Sequence, residues 1–238
     1  MVEFRDMHAK TPAEANNLVR GLSAMIAWSV PRGWRSDNPC GHVKKLKIGE
    51  GWSPWSWDDI EHFRTHARPQ MWQAAALALY TGQRLSDVVA MRWHDLDGGL
   101  IRVKQGKTKK RLAIAMHKDL KALLQHLPRS GEKVLINSRG GGWTADGFKA
   151  SWQAQMDEDA MKPLRDKRLV FHGLRKSAVV FLLEAGCTDA EVAAITGQSR
   201  DMVEHYAREV NQCRLAASAV LKWEADDRQD RKARGRSA

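Results

Sequence analysis

The sequence predicts a mainly α-helical protein with a small antiparallel β-sheet, an α+β fold. Apolar residues recur every three or four positions through most of the chain, and strand-like alternation is confined to one hairpin and one short segment. The 238 residues are enough for one large domain, or for a domain with part of another, around a sizeable core. No apolar run approaches the ~20 residues that cross a bilayer, and the N-terminus lacks the apolar centre of a signal peptide, so we expect a cytoplasmic protein.

The first predicted element is an amphipathic helix that begins at Thr11 and ends near Gly33. Thr11, Pro12 and Glu14 have the pattern of a capping box with proline at the first helical position. The next segment mixes Pro, Gly, Ser and Lys without periodicity, which is typical of a linker. We therefore expect a domain boundary near Gly51, which divides the chain into residues 1–50, residues 51–224 and a basic flexible tail at 225–238.

The second part begins with a predicted helix capped by Ser56 and Asp59. A strongly apolar helix, "PQMWQAAALALYTG", follows and ends at Gly82. Alternation on both sides of the polar centre in "LIRVKQGKTKKRLAIAM" predicts a β-hairpin with a basic tip.

The remaining elements are predicted to be helices, with one short strand among them. "DLKALLQHL" and "TADGFKASWQAQM" are helical, with the strand "KVLIN" between them. "FHGLRKSAVVFLLEAG" is a buried helix that ends at Gly186, and Thr188 with Glu191 caps the next one. The helical pattern continues through "NQCRLAASAVLKWEADD" with a break around Gly197, and the basic end "RQDRKARGRSA" is expected to be disordered.

The charge of the chain favours a polyanionic partner. Lys and Arg outnumber Asp and Glu by 39 to 28, a formal net charge of +11, although a merely basic soluble protein remains an alternative. The three cysteines form no CxxC pair and lie too far apart for a disulfide framework or a zinc site. We therefore expect no cysteine zinc site and a reducing compartment.

Two candidate groups lie in the first half of the second part. Arg84 follows the Gly82 stop, where a core helix reaches the surface, although it could be an ordinary surface arginine. Lys107 lies at the hairpin tip among other cations, where each lysine could neutralise a phosphate of a polyanionic backbone. Edge strands also carry lysines to block aggregation. The neighbouring cations are Lys104, Lys109, Lys110 and Arg111.

Two further candidate groups, which together comprise three residues, lie towards the C-terminus. "HGLR" places His172 and Arg175 one helical turn apart, so both could reach a single anion, although an isolated HxxR is often structural. Tyr206 is one of two tyrosines in the chain and lies among polar residues. A phenol becomes a nucleophile when a base takes its proton or its oxyanion is stabilised, whereas a half-buried structural tyrosine is the simpler interpretation.

Together these residues resemble the tyrosine recombinase (phage integrase) family. The order Arg84, Lys107, His172, Arg175 and Tyr206 matches the family, and the resemblance extends from about residue 11 to about residue 223. "LALYTGQRLSDVVAMRWHDLD" is similar to its first arginine box and "FHGLRKSAVVFLLEAGCTDAEVAAITGQS" to its second. The resemblance implies the catalytic-domain fold of this family in residues 51–224, with residues 1–50 a remnant of a helical core-binding domain plus a linker.

The resemblance also implies a role for each residue. Arg84 and Arg175 would clamp the scissile phosphate, and Lys107 would protonate the leaving 5′ oxygen. His172 would transfer a proton or bind the phosphate. Tyr206 would be the nucleophile that forms a 3′-phosphotyrosine, without metal or ATP. Asp87 matches an acidic position that supports the site, here by orienting a neighbouring basic side chain.

The sequence departs from the family pattern in two ways. Gln198 stands where the family most often has His or Trp, and it lies one residue closer to Tyr206 than is usual. Because an amide donates a hydrogen bond but cannot titrate, we expect slower chemistry. In addition, only residues 1–47 precede the catalytic part, as expected for a truncated product, a fragment or a short family member.

Three functions are consistent with these features. The leading hypothesis is a DNA recombinase or integrase that acts as a homotetramer on paired duplex sites. A DNA-binding remnant without catalysis and a type IB topoisomerase-like activity are the alternatives. A metal-dependent nuclease is disfavoured because the sequence has no evident carboxylate cluster.

Overall fold

The computed structural model describes residues 1–49 and 51–207, together with residues 216, 220 and 221. The predicted basic tail at 225–238 and most of the helical pattern before it lie outside the described residues. The chain divides into two compact units, Met1–Gly51 and Trp52–Ala238. Among the described helices, none has both the length and the apolar character needed to span a membrane.

The first unit contains two helices, α1 (Val2–Asp6) and α2 (Pro12–Ser29). A 3₁₀ turn follows α2 and ends at Gly33, which has a left-handed φ of 73°, as expected from the sequence. The predicted capping box does not form. The backbone N–H of Thr11 donates to the carbonyl of His8, and its hydroxyl donates to the Glu14 carboxylate at 3.0 Å, so neither group closes the box.

The helices of the second unit agree with the sequence patterns, and both predicted capping boxes are present, at Ser56 with Asp59 and at Thr188 with Glu191. A helix stop at Gly82 is confirmed by its left-handed φ of 63°. The short helices α5 and α8 were not predicted. The helices are α3 (Trp57–His66), α4 (Pro69–Thr81), α5 (Leu85–Val88), α6 (Lys118–Gln125), α7 (Ala145–Met156), α8 (Lys162–Asp166), α9 (Phe171–Glu184) and α10 (Asp189–Thr196), followed by helical residues 200–207.

The predicted hairpin is confirmed as two strands of a three-stranded antiparallel sheet. The strands are β1 (Leu96–Asp97), β2 (Leu100–Lys104) and β3 (Arg111–Ala115). Ile101 pairs with Ile114, and both are buried, so this alternation faces the core. Residues 105–110 form the tip.

The strand predicted for "KVLIN" is wrong. This segment makes only two isolated bridges, Lys133 with Arg92 and Ile136 with Gly142. Val134 and Leu135 are apolar because they are buried in the core, not because they belong to a sheet. A short apolar run gives no information about whether a pairing partner is available.

Two hydrophobic clusters fix the position of α9. Its first turns pack into the main core beside α4, whose central residues 74–78 are almost completely buried. Its later residues Val179 and Leu183 join a second cluster with Val192 of α10 and with Val203 and Ala207 of the last helical segment. One helix therefore connects the main core to the segment that carries Tyr206.

Candidate active site

Arg84 lies at the N-terminus of α5, immediately after the α4 stop. The left-handed turn at Gly82 lets the chain leave the core, and Gln83 remains buried before Arg84 emerges. Nη1 of Arg84 is buried and has no hydrogen-bond partner among the described residues. An unpaired buried guanidinium nitrogen is costly, so this atom is available to an anionic ligand.

The start of α9 is held by a close contact with the segment before α3. A Cβ on Gly173 would lie 2.5 Å from the carbonyl oxygen of Ser53, so only glycine allows this approach. Ser177 accepts a hydrogen bond from the backbone N–H of Trp55 at 2.6 Å and donates to its carbonyl at 3.0 Å. Trp55 Nε1 donates to the Val170 carbonyl at 3.0 Å. These contacts explain the glycine of "HGLR".

Arg175 is buried, with 4% of its surface exposed. Its Nη1 donates to the carbonyls of Gly82 and Thr196, which joins α9 to the ends of α4 and α10. Burial and the nearby charge of Arg84 lower the pKa of Arg175 to about 10, and Asp87 and Tyr206 act in the opposite direction. Arg175 is therefore still cationic at neutral pH.

His172 lies one turn before Arg175 and is exposed to solvent. Surrounding protein atoms and the charges of Arg175, Arg84 and Lys107 all lower the pKa of its imidazole below the ordinary value. The structure thus brings Arg84, Lys107 and Arg175 within electrostatic reach of His172. At neutral pH the imidazole is uncharged, with one nitrogen able to accept a proton.

Lys107 lies on the exposed tip of the β2–β3 hairpin. Asp87 is buried, and its Oδ1 accepts a hydrogen bond from the backbone N–H of Gly106 at 2.8 Å, while its Oδ2 has no partner in the part of the chain that the structure describes. Asp87 therefore contacts the backbone directly before Lys107.

The other hairpin cations are all exposed. Lys104 and Arg111 are paired across the last register position of β2 and β3, and Lys109 has a left-handed φ of 59° within the turn. Lys110 is directed back towards the protein, where its Nζ donates to the carbonyl of Gly197 at 3.3 Å. The tip thus joins a cationic surface to the loop after α10.

Two buried glutamines near the site were missed by the sequence analysis. Gln105 and Gln83 are joined by a 2.7 Å hydrogen bond between Nε2 of Gln105 and Oε1 of Gln83. A signal for Gln105 was present, because it continues the inward alternation of Ile101 and Val103 into the tip. A polar residue in an inward position requires buried partners.

Gln198 follows Gly197, which ends α10 with a left-handed φ of 68°. Its backbone N–H donates to the Thr196 hydroxyl at 3.3 Å. Its side-chain Oε1 is buried and lacks a partner within the described residues. The amide is therefore held close to the protein without a hydrogen bond that fixes its oxygen.

Tyr206 is half-buried on the helical residues 200–207 and packs against the second hydrophobic cluster. Nζ of Lys176, on α9, lies 5.1 Å from the centre of its ring. The phenol is close enough to Arg175 to affect the pKa of that residue. Lys176 was also missed, and its sequence position beside Arg175 carries no separate signal.

The arrangement concentrates positive charge near His172. The charges of two arginines and a lysine act on the imidazole of His172, and the phenol of Tyr206 acts on Arg175. Such an arrangement can bind a phosphate and stabilise added negative charge on it. In the described ranges, no three His, Cys, Asp or Glu side chains are grouped closely enough to hold a metal ion.

Comparison with known proteins agrees with this fold. The family model of the phage integrase family matches residues 58–212. A shufflon-specific DNA recombinase of Escherichia coli is 31% identical over 134 residues, which cover 55% of this chain and 32% of the relative. The chain thus matches about a third of the length of this curated relative.

Solved structures show the same fold at low sequence identity. A lambda integrase dimer bound to a COC' core site has a TM-score of 0.68 at 21% identity, with 82% of this chain and 76% of that chain covered. The Tn1549 transposon integrase in complex with a circular intermediate DNA has a TM-score of 0.71 at 15% identity, with 91% and 85% covered. The fold is that of a tyrosine recombinase catalytic domain, and the chain belongs to the phage integrase family.

Proposed function

We propose that this chain is a site-specific DNA recombinase that breaks and rejoins DNA through a 3′-phosphotyrosyl intermediate on Tyr206. The observation that carries the proposal is that Arg84, Lys107 and Arg175 all lie close enough to His172 for their charges to lower its pKa, beside a buried nitrogen of Arg84 that has no partner among the described residues. Four separate segments of the chain supply this group and Tyr206, because His172 and Arg175 share α9. A DNA phosphodiester has the charge and the oxygen geometry to satisfy it.

The proposed cleavage step replaces one ester bond at phosphorus with another. The Tyr206 oxygen forms a bond to phosphorus while its proton passes to the neutral imidazole of His172. The bond from phosphorus to the 5′ oxygen breaks, and Lys107 donates a proton to that oxygen. Arg84 and Arg175 neutralise the negative charge of the pentacoordinate transition state. Attack by a 5′ hydroxyl from a partner duplex reverses the step and completes strand exchange.

The proposed partners are duplex DNA and further copies of the chain. A related structure is described as a lambda integrase tetramer bound to a Holliday junction, with a TM-score of 0.70 and 21% identity to this chain. We propose a homotetramer on paired sites for this chain as well, with the exposed hairpin cations Lys104, Lys109, Lys110 and Arg111 on the DNA backbone.

Covalent capture of DNA tests the proposal. A pool of nicked duplexes with randomised sequence is incubated with the protein. DNA that remains attached after the protein is denatured is then recovered and sequenced. We expect wild type to retain DNA and Tyr206→Phe to retain none while it still binds DNA reversibly. Equal retention by the two proteins would contradict the role of Tyr206.

A second candidate is a DNA-binding protein of the same family without catalysis. The observation that favours it is Gln198, whose buried Oε1 is an acceptor beside the proposed phosphate site. This candidate predicts salt-dependent DNA binding with no covalent product on any recovered sequence. The capture experiment therefore distinguishes the two functions.

A further inference from the structure

Gln105 is a completely buried polar residue at the point where β2 enters the hairpin tip. Its Nε2 donates to Oε1 of Gln83 at 2.7 Å and to the carbonyl of Thr196 at 3.0 Å. Its Oε1 accepts from the hydroxyl of Thr108 at 2.6 Å. Both amide protons and the amide oxygen therefore have partners, and loss of the amide would leave those partners buried and less well satisfied.

Each of these partners adjoins a residue of the proposed active site. Gln83 precedes Arg84, and Thr108 follows Lys107. The Thr196 carbonyl that receives the Gln105 amide also accepts from Arg175. A single amide thus connects the segments that carry the two arginines to the loop that carries the lysine.

The contact between the hairpin and the loop after α10 is also tight. A Cβ on Gly197 would lie 2.5 Å from Nε2 of Gln105, so the loop backbone packs directly on the amide. The backbone of Gln105 closes the tip, because its N–H donates to the carbonyl of Lys110 and its carbonyl accepts from Lys109, both at 2.9 Å. A displaced Gln105 would therefore move the turn that presents Lys107.

We propose that Gln105 is a positioning residue that holds the Lys107 turn at the phosphate site and sets the distance over which Lys107 donates its proton. The inference rests on the proposed function, since it assumes that Lys107 protonates the 5′ oxygen. Gln105 itself does not contact DNA in this proposal. Its effect on the reaction passes through the backbone of residues 105–110.

The leaving group of the DNA provides a selective test. A 5′ oxygen needs a proton as it leaves, whereas a 5′ sulfur leaves as a thiolate, because thiols ionise at a pKa of about 8.5. A duplex recovered by covalent capture is made in two forms, one with oxygen and one with sulfur at the bridging 5′ position. The cleavage rate of each form is then measured for each variant.

The variants are Gln105→Met, Lys107→Ala and the control Gln155→Met. Methionine keeps the approximate length of glutamine and removes the hydrogen bonds. Gln155 is equally buried and also well bonded, with its Oε1 accepting from the backbone N–H and the Nε of Arg68, both at 2.9 Å, but it lies on α7, outside the proposed site. Loss of a buried amide is therefore matched between Gln105→Met and the control.

We expect Gln105→Met to cleave the oxygen duplex roughly 10- to 100-fold more slowly than wild type, as misplacement of a catalytic group does, and to cleave the sulfur duplex at close to the wild-type rate. Lys107→Ala should show the same selectivity with a loss of at least about 100-fold. The control should change both rates by the same factor. In the contrary outcome, Gln105→Met slows cleavage of the two duplexes by the same factor while Lys107→Ala slows only that of the oxygen duplex. That result would overturn the positioning role of Gln105 and leave the role of Lys107 intact.

Hydrogen exchange of the protein without DNA provides a second measurement. Gln105→Met should speed amide exchange in residues 105–110 relative to the rest of the second unit, and Gln155→Met should not. Unchanged exchange in the tip would overturn the inference even if no DNA is cleaved. Absence of selectivity in Lys107→Ala, with faster exchange in Gln105→Met, would instead contradict the proposed role of Lys107 and leave the hold on the turn supported.

Discussion

At the scale of single residues, Gln198 is the clearest departure from the family pattern. Its side-chain oxygen is buried without a partner among the described residues, close to the proposed phosphate site. An amide oxygen that faces an anion is unfavourable, so we expect DNA binding to rotate the amide until its NH₂ group donates to a phosphate oxygen. Gln198 would then act as a hydrogen-bond donor that carries no charge.

Replacement of this amide tests its contribution. We expect Gln198→Ala to slow covalent cleavage about 10- to 100-fold, the effect of losing one hydrogen bond to a charged group. Gln198→His should retain or exceed the wild-type rate, since it restores a donor. Single-turnover cleavage of a captured duplex measures both. Wild-type cleavage by Gln198→Ala would show that the amide has no part in the reaction.

The environment of His172 predicts a pH dependence of stability. Partial desolvation by surrounding protein atoms and three neighbouring cations lower the pKa of His172 in the folded chain, whereas the unfolded chain keeps the ordinary value of about 6.5. Between these two values the unfolded state binds more protons, so stability rises with pH through this window and levels off above about pH 6.5.

His172→Gln should remove this part of the pH dependence. Urea unfolding of wild type and variant from pH 5 to pH 8 isolates the contribution of His172, because the rest of the chain is shared. We expect the variant to gain stability relative to wild type as the pH falls below 6.5. A constant difference between the two proteins over the whole range would contradict the lowered pKa.

At the scale of elements, the stop after α10 combines backbone strain with a close contact. Gly197 has a φ of 68°, and a Cβ there would lie 2.5 Å from the Gln105 amide. Gly98, between β1 and β2, has a φ of 57°, and a Cβ added there would have no atom within 4 Å. The two glycines thus share the left-handed backbone and differ in the space around it.

We expect Gly98→Ala to lower the free energy of unfolding by about 1 kcal/mol, from the backbone alone. Gly197→Ala should lower it by about 2–4 kcal/mol, because the methyl group must also displace the buried amide. Chemical denaturation of the three proteins measures both effects. Equal losses would show that the packing of Gln105 on Gly197 contributes nothing.

The hairpin and the "KVLIN" segment show which elements could be predicted. The hairpin was predicted because two alternating runs flank a polar turn within one short stretch, so both strands and their connection are local. "KVLIN" has the same apolar character, but its neighbours are Arg92, Met91 and Gly142, which offer single bridges or single hydrogen bonds. Its failure as a strand depends on partners far away in the sequence.

At the scale of the whole molecule, the net charge of +11 predicts a strong salt dependence of DNA binding. Each lysine that contacts a phosphate contributes about 0.9 to the slope of log K against log salt. We expect replacement of both Lys104 and Lys109 by Gln to lower the magnitude of the slope by up to about 1.8. Titration of a random-sequence duplex at several salt concentrations measures it.

An exposed lysine outside the hairpin is the control for this prediction. Lys121 lies on α6, and Lys121→Gln removes one charge without altering the tip. The slope of log K against log salt for Lys121→Gln should equal the wild-type slope if the hairpin is the contact surface. A slope that falls equally for each removed charge, wherever it lies, would indicate a general effect of net charge instead.

The sequence by itself determined the helical and hairpin elements of the catalytic part and the candidate residues Arg84, Lys107, His172, Arg175 and Tyr206. Capping residues, glycine stops and apolar periodicity act over a few positions, so these features are readable locally. The family resemblance then depended on the order of the residues along the chain.

The tertiary structure alone decided how those residues meet. The lowered pKa values of His172 and Arg175 depend on charges and burial contributed by distant segments. The partner of Asp87 is the backbone of Gly106. The role proposed for Gln105 depends on its hydrogen bonds to Gln83 and to the carbonyl of Thr196. Such properties arise from contacts between residues far apart in sequence, and local sequence patterns do not predict those contacts.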